Sequence, residues 1–475
     1  MTKATEIASY LESSVAFSAS HSEVERFAER EGREFVRRML QGHYDFRAAA
    51  ERPVRVEGAD RVVRSFRRPS ARPLLTIAGR VEVSRFAYQA RDVDGLHPMD
   101  AQLNLPRELY SHELRRRAAE RAACGSFDEV TAELSAATGT PIGKRQVEQL
   151  AARAAQDFDA FYAARESVAG SAQDFLVLTF DGKGIPMLHE HLRAATRKAA
   201  AATPRQLRTR LTKGEKRHRK RMAQVAAVYD VAPYVRTVQD VLAELRPVRE
   251  ANKPPRPRPT NKRVWASVEK DPADVIRDAF DDALRRDPDK KRTWVVLVDG
   301  NKDQLRLVKK AARKRAVAIT VIVDVIHVLE YLWKAAYAFH PEGSKDAESW
   351  VQQRLMWLLR GEHAKVRANL RRNAAARGLD DARGTAVRAC IRYPRGARNY
   401  LAYDQALATG LPIATGVIEG ACRYLVKDWI ARWSLGEAEA VLRLRALRAS
   451  GDFDAYCKLH LDRERREASS RQSVP

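Results

Sequence analysis

The sequence has little cysteine: four residues in 475, Cys124, Cys390, Cys422 and Cys457, with no Cys-x-x-Cys pair. That spacing speaks against a cysteine-based zinc site or a disulfide framework and fits a reducing compartment. Long apolar runs are missing too. No stretch approaches the length needed to cross a bilayer, and the first residues, MTKATEIASYLESSVAFS, lack the basic start and apolar core of a secretion signal. We expect no membrane segment and a cytoplasmic location. A Gly-x-x-x-x-Gly-Lys phosphate loop is also absent, which disfavours an unrelated α/β phosphotransferase. Acids are outnumbered: 86 Lys plus Arg face 61 Asp plus Glu, a formal net charge of +25. Such a balance points to a polyanionic partner, usually a phosphate backbone, although a solvated Arg-rich surface has the same composition.

What is present divides into regions, with no internal repeat. Residues 1–108 read as helix followed by a small β-hairpin, Leu74–Gln89, folded across Gly79. Residues 109–170 read as a helix-turn-helix-like unit. Ser126 can cap the helix FDEVTAELSAAT, and the turn TGTPIG leads into KRQVEQLAARAA, which carries Lys144 and Arg145 at its start. Any small helical bundle has a similar pattern. Residues 171–334 turn α/β, with strands expected at Phe175–Gly182, Met222–Val231 and Thr293–Gly300. Two basic stretches interrupt this core. One is 194–221, with Arg217, Lys220 and Arg221; the other is the Pro-rich 246–263, read as an irregular loop. Residues 335–415 read as a helical insertion, 416–460 as the return to the core, and 461–475 as a disordered tail.

Two strands end alike, in an apolar run followed by Asp-Gly, giving Asp181 and Asp299. An acid at the exit of a buried strand sits at the lip of the sheet, where open α/β folds place their sites. Asp-Gly is also a common turn, so the pair carries more weight than either member. The order strand with Asp, further strands, helix, strand with Asp, helix, strand is that of an RNase H-like sheet, whose first and fourth strands lie side by side. Two convergent carboxylates suit divalent ions, which activate an oxygen nucleophile and stabilise a leaving oxygen. A third acid is then expected. Glu419 opens a helix with Arg423 and Lys427 further along the same face, although an ordinary surface glutamate has the same setting. Asp324 and His327 lie three residues apart at a strand-to-helix transition, where a structural histidine is equally common.

The pieces GLHPMDAQLNLPRELYSHELR, LVLTFDGKGIPM, TWVVLVDGNKDQL, VIVDVIHVLEYLWKAAYAFH, TGVIEGACRYLVKDW and ARWSLGEAEAVLRLRALRASGDFDAY follow one another in order. Together they resemble bacterial insertion-sequence transposases of the Kra group, a branch of the DDE transposases related to the Mutator-like superfamily. The resemblance spans nearly the whole chain. It implies an α/β RNase H-like catalytic core with a helical insertion, behind a mainly helical DNA-binding region. It implies a triad of Asp181, Asp299 and Glu419 holding two Mg²⁺ or Mn²⁺ ions, with Asp324 and His327 as auxiliary residues. It implies double-stranded DNA as partner, both terminal inverted repeats and target, and a homo-oligomer on that DNA in the bacterial nucleoid. Lys144, Arg145, Arg217, Lys220, Arg221, Arg423, Lys427 and Arg432 are the expected DNA contacts. One departure stands out: Lys427-Asp428 is followed almost at once by Ala431-Arg432-Trp433, about one helical turn short of the family pattern. A decayed, purely DNA-binding relative and a metal-dependent nuclease that does not join strands are the alternatives.

Overall fold

The computed structural model describes the chain apart from residues 1, 169, 203–206, 208–211, 213–214, 216–217, 245–255, 380–381, 415, 428–432, 471 and 474–475. The side chains of 382–383, 394–397, 427, 468–470 and 472–473 also lie outside the description. The chain forms two units: residues 1–164 with 451–475, and residues 165–450.

In the first unit, helix α1 (Lys3–Leu11) precedes a long helix α2 (His21–Ala50). Glu23 closes the start of α2 by accepting from the Ser20 backbone N–H at 2.8 Å. Strands β1 (Phe66–Thr76), β2 (Gly79–Ala90) and β3 (Val93–Leu96) form an antiparallel meander. The hairpin turns at Gly79, whose φ of +121° only glycine adopts freely. Leu40 and Tyr44 of α2 pack on Leu74, Val81, Val83 and Met99. Helices α3 (His112–Ala122), α4 (Phe127–Thr138), α5 (Lys144–Ala154) and α6 (Phe158–Ala164) follow. Ser126 and Glu129 close a capping box at α4, as the sequence predicts. These helices bury Leu114, Ala118, Val130, Leu134, Val147 and Leu150.

The C-terminal helix, Phe453–Ser470, corrects two expectations. The chain leaves the second unit at Ser450 rather than 460. The stretch expected to be a disordered tail from 461 continues as helix to Ser470. Its composition is polar, but Glu464 accepts from the buried Arg115 at 2.8 Å, and His460 meets Asp157 at 2.7 Å. Paired charges offset the lack of apolar residues.

The second unit is built on a five-stranded sheet: β4 (Phe175–Pro186), β5 (Lys220–Val231), β6 (Thr260–Ser267), β7 (Trp294–Val298) and β8 (Ile319–Val323). Its spatial order is β6-β5-β4-β7-β8, so the first and fourth strands are neighbours, as expected. β4 runs antiparallel to β5 and parallel to β7, and β7 is parallel to β8. The central strands are buried along nearly their whole apolar runs, as a sheet covered on both faces requires. Helix α7 (Pro272–Arg286) leads into β7, and α8 (Lys302–Lys314) into β8. Helix α9 (Val325–Ala336) leaves β8.

Strand β6 was not foreseen: its first residues fall inside the stretch read as an irregular loop, of which 246–255 lies outside the described residues. Arg263 closes the Pro-rich basic stretch read as a loop. It is buried instead, with Asp282 of α7 at 2.7 Å, and a buried charge is tolerable when its partner is buried with it. Residues 335–415 are helical as expected: α10 (Lys345–Leu359), α11 (His363–Ala376), α12 (Ala382–Ala397) and α13 (Tyr403–Ala408). Helix α14 (Gly416–Ala421) passes into a π-helical stretch, Cys422–Lys427, and α15 (Leu435–Ser450) ends the unit. Among the described residues no helix is long and apolar enough to cross a membrane.

Candidate active site

The pairing register brings three aspartates to one edge of the sheet. In the parallel pair β4–β7, Thr179 lies beside Leu297, and two residues on come Asp181 and Asp299. In β7–β8, Val298 lies beside Val323, and the next residues are Asp299 and Asp324. Neighbouring strands stand ~4.8 Å apart, so these three chain positions form a row. Asp299 and Asp324 lie just past the ends of their strands, but Asp181 does not end its strand as the Asp-Gly pattern predicts: β4 runs on to Pro186, held by its antiparallel pairing with β5.

Their surroundings differ. Asp181 is half-buried; its Oδ1 accepts from the Gly182 N–H at 2.7 Å and its Oδ2 from the Cys422 thiol at 3.0 Å. Asp299 is half-buried at a strand-to-helix corner, where its Oδ1 accepts from the Asn301 N–H at 2.8 Å. Asn301 in turn caps α8. Asp324 is buried and caps α9, its Oδ1 accepting from the Ile326 N–H at 2.7 Å. His327 lies half-buried one turn into that helix.

The helical insertion reaches this edge through two tyrosines. Tyr393 of α12 donates to the Asp299 carbonyl at 2.6 Å and stacks on Tyr331 of α9 with ring centroids 4.2 Å apart. Burial, reinforced by the neighbouring Asp299 carboxylate, pushes the Tyr393 phenol far above its ordinary value, which keeps it a donor. Gly300 holds φ +82°, and a Cβ there would meet the Tyr393 Oη at 3.0 Å. Tyr403 of α13, wholly buried, donates to the Val323 carbonyl at 2.7 Å, just ahead of Asp324.

Glu419 is exposed in the first turn of α14. Three residues on, buried Cys422 touches Asp181, so the helix that carries Glu419 is docked against β4. The segment beyond returns to the same strand: Trp433 pairs with Met187, its carbonyl accepting from the Leu188 N–H at 3.0 Å. Buried Glu439 of α15 accepts from the Ser267 hydroxyl at 3.0 Å and the Val268 N–H at 2.9 Å, fixing the end of β6.

The expected cationic contacts separate. Lys220 and Arg423 are exposed, whereas Arg221 is half-buried and gives its guanidinium to the carbonyls of Val268 at 2.8 Å and His191 at 3.4 Å. Burial lowers its pKa. In the first unit Lys144 pairs with Asp128 at 2.9 Å and Arg145 is exposed at the start of α5. Arg217, Arg432 and the Lys427 side chain lie outside the described residues.

Asp181 and Asp299 offer two half-buried carboxylates, hard oxygen donors of the kind a divalent cation takes. Among the described residues, no three His, Cys, Asp or Glu side chains are gathered closely enough to hold an ion, so Glu419 does not close on the pair here. Sequence reasoning missed Cys422, Tyr393 and Tyr403. Cys422 alone had a signal, lying one turn past Glu419 on an otherwise apolar helix face.

No family model matches the chain, and no curated protein matches it. Among solved structures the chain is similar to the Drosophila P element transposase strand transfer complex. The identity is 10% and the TM-score 0.27, over 74% of this chain and 81% of that one. A superposition that loose carries no argument about this chain.

Proposed function

We propose that the second unit is an RNase H-like catalytic core and that the protein is a DDE-type DNA transposase, of the Kra-group kind its motifs resemble. The observation that carries the reading is the level row of Asp181, Asp299 and Asp324 on adjacent parallel strands, with the Glu419 helix docked on the first. In this reading Asp181, Asp299 and Glu419 would hold two Mg²⁺ or Mn²⁺ ions. Bound there, such ions lower the pKa of an attacking water or 3′-hydroxyl and stabilise the leaving oxygen. The protein's own part is positional. Tyr393 and Asn301 fix the turn that presents the Asp299 carboxylate, and the Cys422 thiol fixes one oxygen of Asp181. Arg423 and Lys220 supply charge for phosphate contacts, and Arg145 at the start of α5 suits the end of a recognition helix. Asp324 is a helix cap first, with any further role secondary.

The test is strand transfer by the purified full chain on labelled DNA carrying the inverted repeats that flank its coding region, with and without Mg²⁺ or Mn²⁺. Joined products that need metal and vanish in Asp181→Asn, Asp299→Asn and Glu419→Gln support the reading. Nicks without joining would make it a nuclease, and binding without cleavage a DNA-binding remnant. Full activity in Glu419→Gln would remove that residue from the triad while leaving the aspartates.

A further inference from the structure

Helix α2 carries α1 on one side, where Tyr10 stacks on Phe27 and Lys3 pairs with Glu31 at 2.6 Å, and is fixed to the sheet and α4 by another. On that side Leu40 and Tyr44 enter the core, Gln41 donates to the Glu82 carbonyl at 2.9 Å, and Arg33 donates to the Ala136 carbonyl at 2.6 Å. A third side carries an apolar stripe in the open. Val36, Met39 and Phe46 are 46%, 60% and 72% exposed, and His43 lies among them. The order Gly32, Val36, Met39, His43, Phe46, Ala50 alternates steps of four and three, the spacing of a helix seam that meets another helix. A stripe this apolar is costly to leave in water and unsuited to phosphate.

The stripe is complementary to itself. Glu29 and Arg47 are eighteen residues apart, about five full turns at ~3.6 residues per turn, and so share one flank. In an antiparallel pair related by a two-fold axis near Met39, Glu29 of each helix faces Arg47 of the other. Phe46 then lies over Gly32, a large side chain against a missing one. Arg47 is available for this, since in the single chain its guanidinium reaches Gln102 at a long 3.4 Å. A parallel pair would set Phe46 beside Phe46 and put the Glu29–Arg47 flanks of the two helices on opposite sides of the seam, leaving these charges unpaired. Charge and shape therefore select a second copy of this chain, antiparallel.

We propose that α2 is a homodimerisation helix, meeting its two-fold mate along Gly32, Val36, Met39, His43 and Phe46. The inference rests on the first unit and does not depend on the catalytic reading.

Sedimentation of the full chain at about 10 µM, where a micromolar dimer is mostly assembled, is the first measurement. We expect a dimer, with Met39→Glu plus Phe46→Glu weakening it by about a hundredfold, as for central apolar anchors. Glu29→Arg alone should weaken the dimer, and Glu29→Arg combined with Arg47→Glu should restore it. Under mild oxidant Met39→Cys should cross-link to itself, while Arg30→Cys on the far side should not exceed the unmodified chain. Far-UV circular dichroism monitors folding, and the rescue by charge exchange cannot come from a misfolded variant. A monomeric unmodified chain, a dimer indifferent to the double glutamate variant, or a charge exchange that fails to rescue would overturn the proposal.

Discussion

Asp181 and Asp299 stand two residues beyond Thr179 and Leu297, which are register partners on adjacent parallel strands. Parallel pairing keeps the chains in step, so one residue's shift of either strand would turn its carboxylate to the other face of the sheet. If the pair holds metal, Asp181→Asn and Asp299→Asn should each abolish metal-dependent cleavage while changing stability by less than about 1 kcal/mol, since both carboxylates are only half-buried. Calorimetric metal titration beside thermal unfolding separates the two effects. A variant that loses its fold together with its activity would refute this assignment.

Tyr393 acts on Asp299 through the backbone. Removing its hydroxyl in Tyr393→Phe leaves a part-buried carbonyl without its donor, at a cost of about 1–2 kcal/mol. In activity, the Mg²⁺ concentration for half-maximal cleavage should rise several-fold with little change at saturating metal. An equal fall at every metal concentration would mean that the tyrosine does more than position the turn.

Gly300 is held at φ +82° against the same phenol. Gly300→Ala adds both a left-handed backbone penalty and a contact at 3.0 Å, together about 1–3 kcal/mol. Urea unfolding should show the loss, and the double variant Gly300→Ala with Tyr393→Phe should recover part of it, because the contact is with the hydroxyl. Simple additivity would show that the backbone term alone matters.

Cys422 ties the Glu419 helix to Asp181. Cys422→Ala should lower stability by about 1–2 kcal/mol as a small cavity opens. It should also loosen the docking of α14, which hydrogen exchange along residues 416–427 would read as faster exchange. Unchanged exchange there would deny Cys422 this role.

The Arg115–Glu464 pair makes a pH-dependent bond in the first unit. Burial pushes Glu464 up, but the hydrogen bond and charge of Arg115 outweigh it and hold the carboxyl below its ordinary value. A depressed carboxylate stabilises the fold above its unfolded pKa, and that stability is lost as pH falls through the folded one. Glu464→Gln should therefore be less stable than the unmodified chain at pH 7 by about 2–3 kcal/mol. The difference should shrink as the medium is taken below about pH 4. A gap that stays constant with pH would show that the pair contributes no charge interaction.

The sequence by itself determined the buried strands that lead into Asp181, Asp299 and Asp324, because an unbroken apolar run is stable as a buried strand and little else; it did not determine that the first of them runs on past Asp181 to Pro186. It also determined the capped helix at Ser126, the hairpin at Gly79 and the helical character of the insertion, all local patterns of spacing and turn chemistry. Tertiary structure alone decided the pairing register that sets three aspartates in one row. It decided that Arg263 and Glu464 are paired rather than solvated, since a charged residue reads the same in sequence whether its partner is water or a distant carboxylate or guanidinium. It decided too that Tyr393, Tyr403 and Cys422 reach the edge of the sheet, from 94, 80 and 241 residues away from the groups they bond. Contacts of that span depend on how elements pack, which periodicity does not encode.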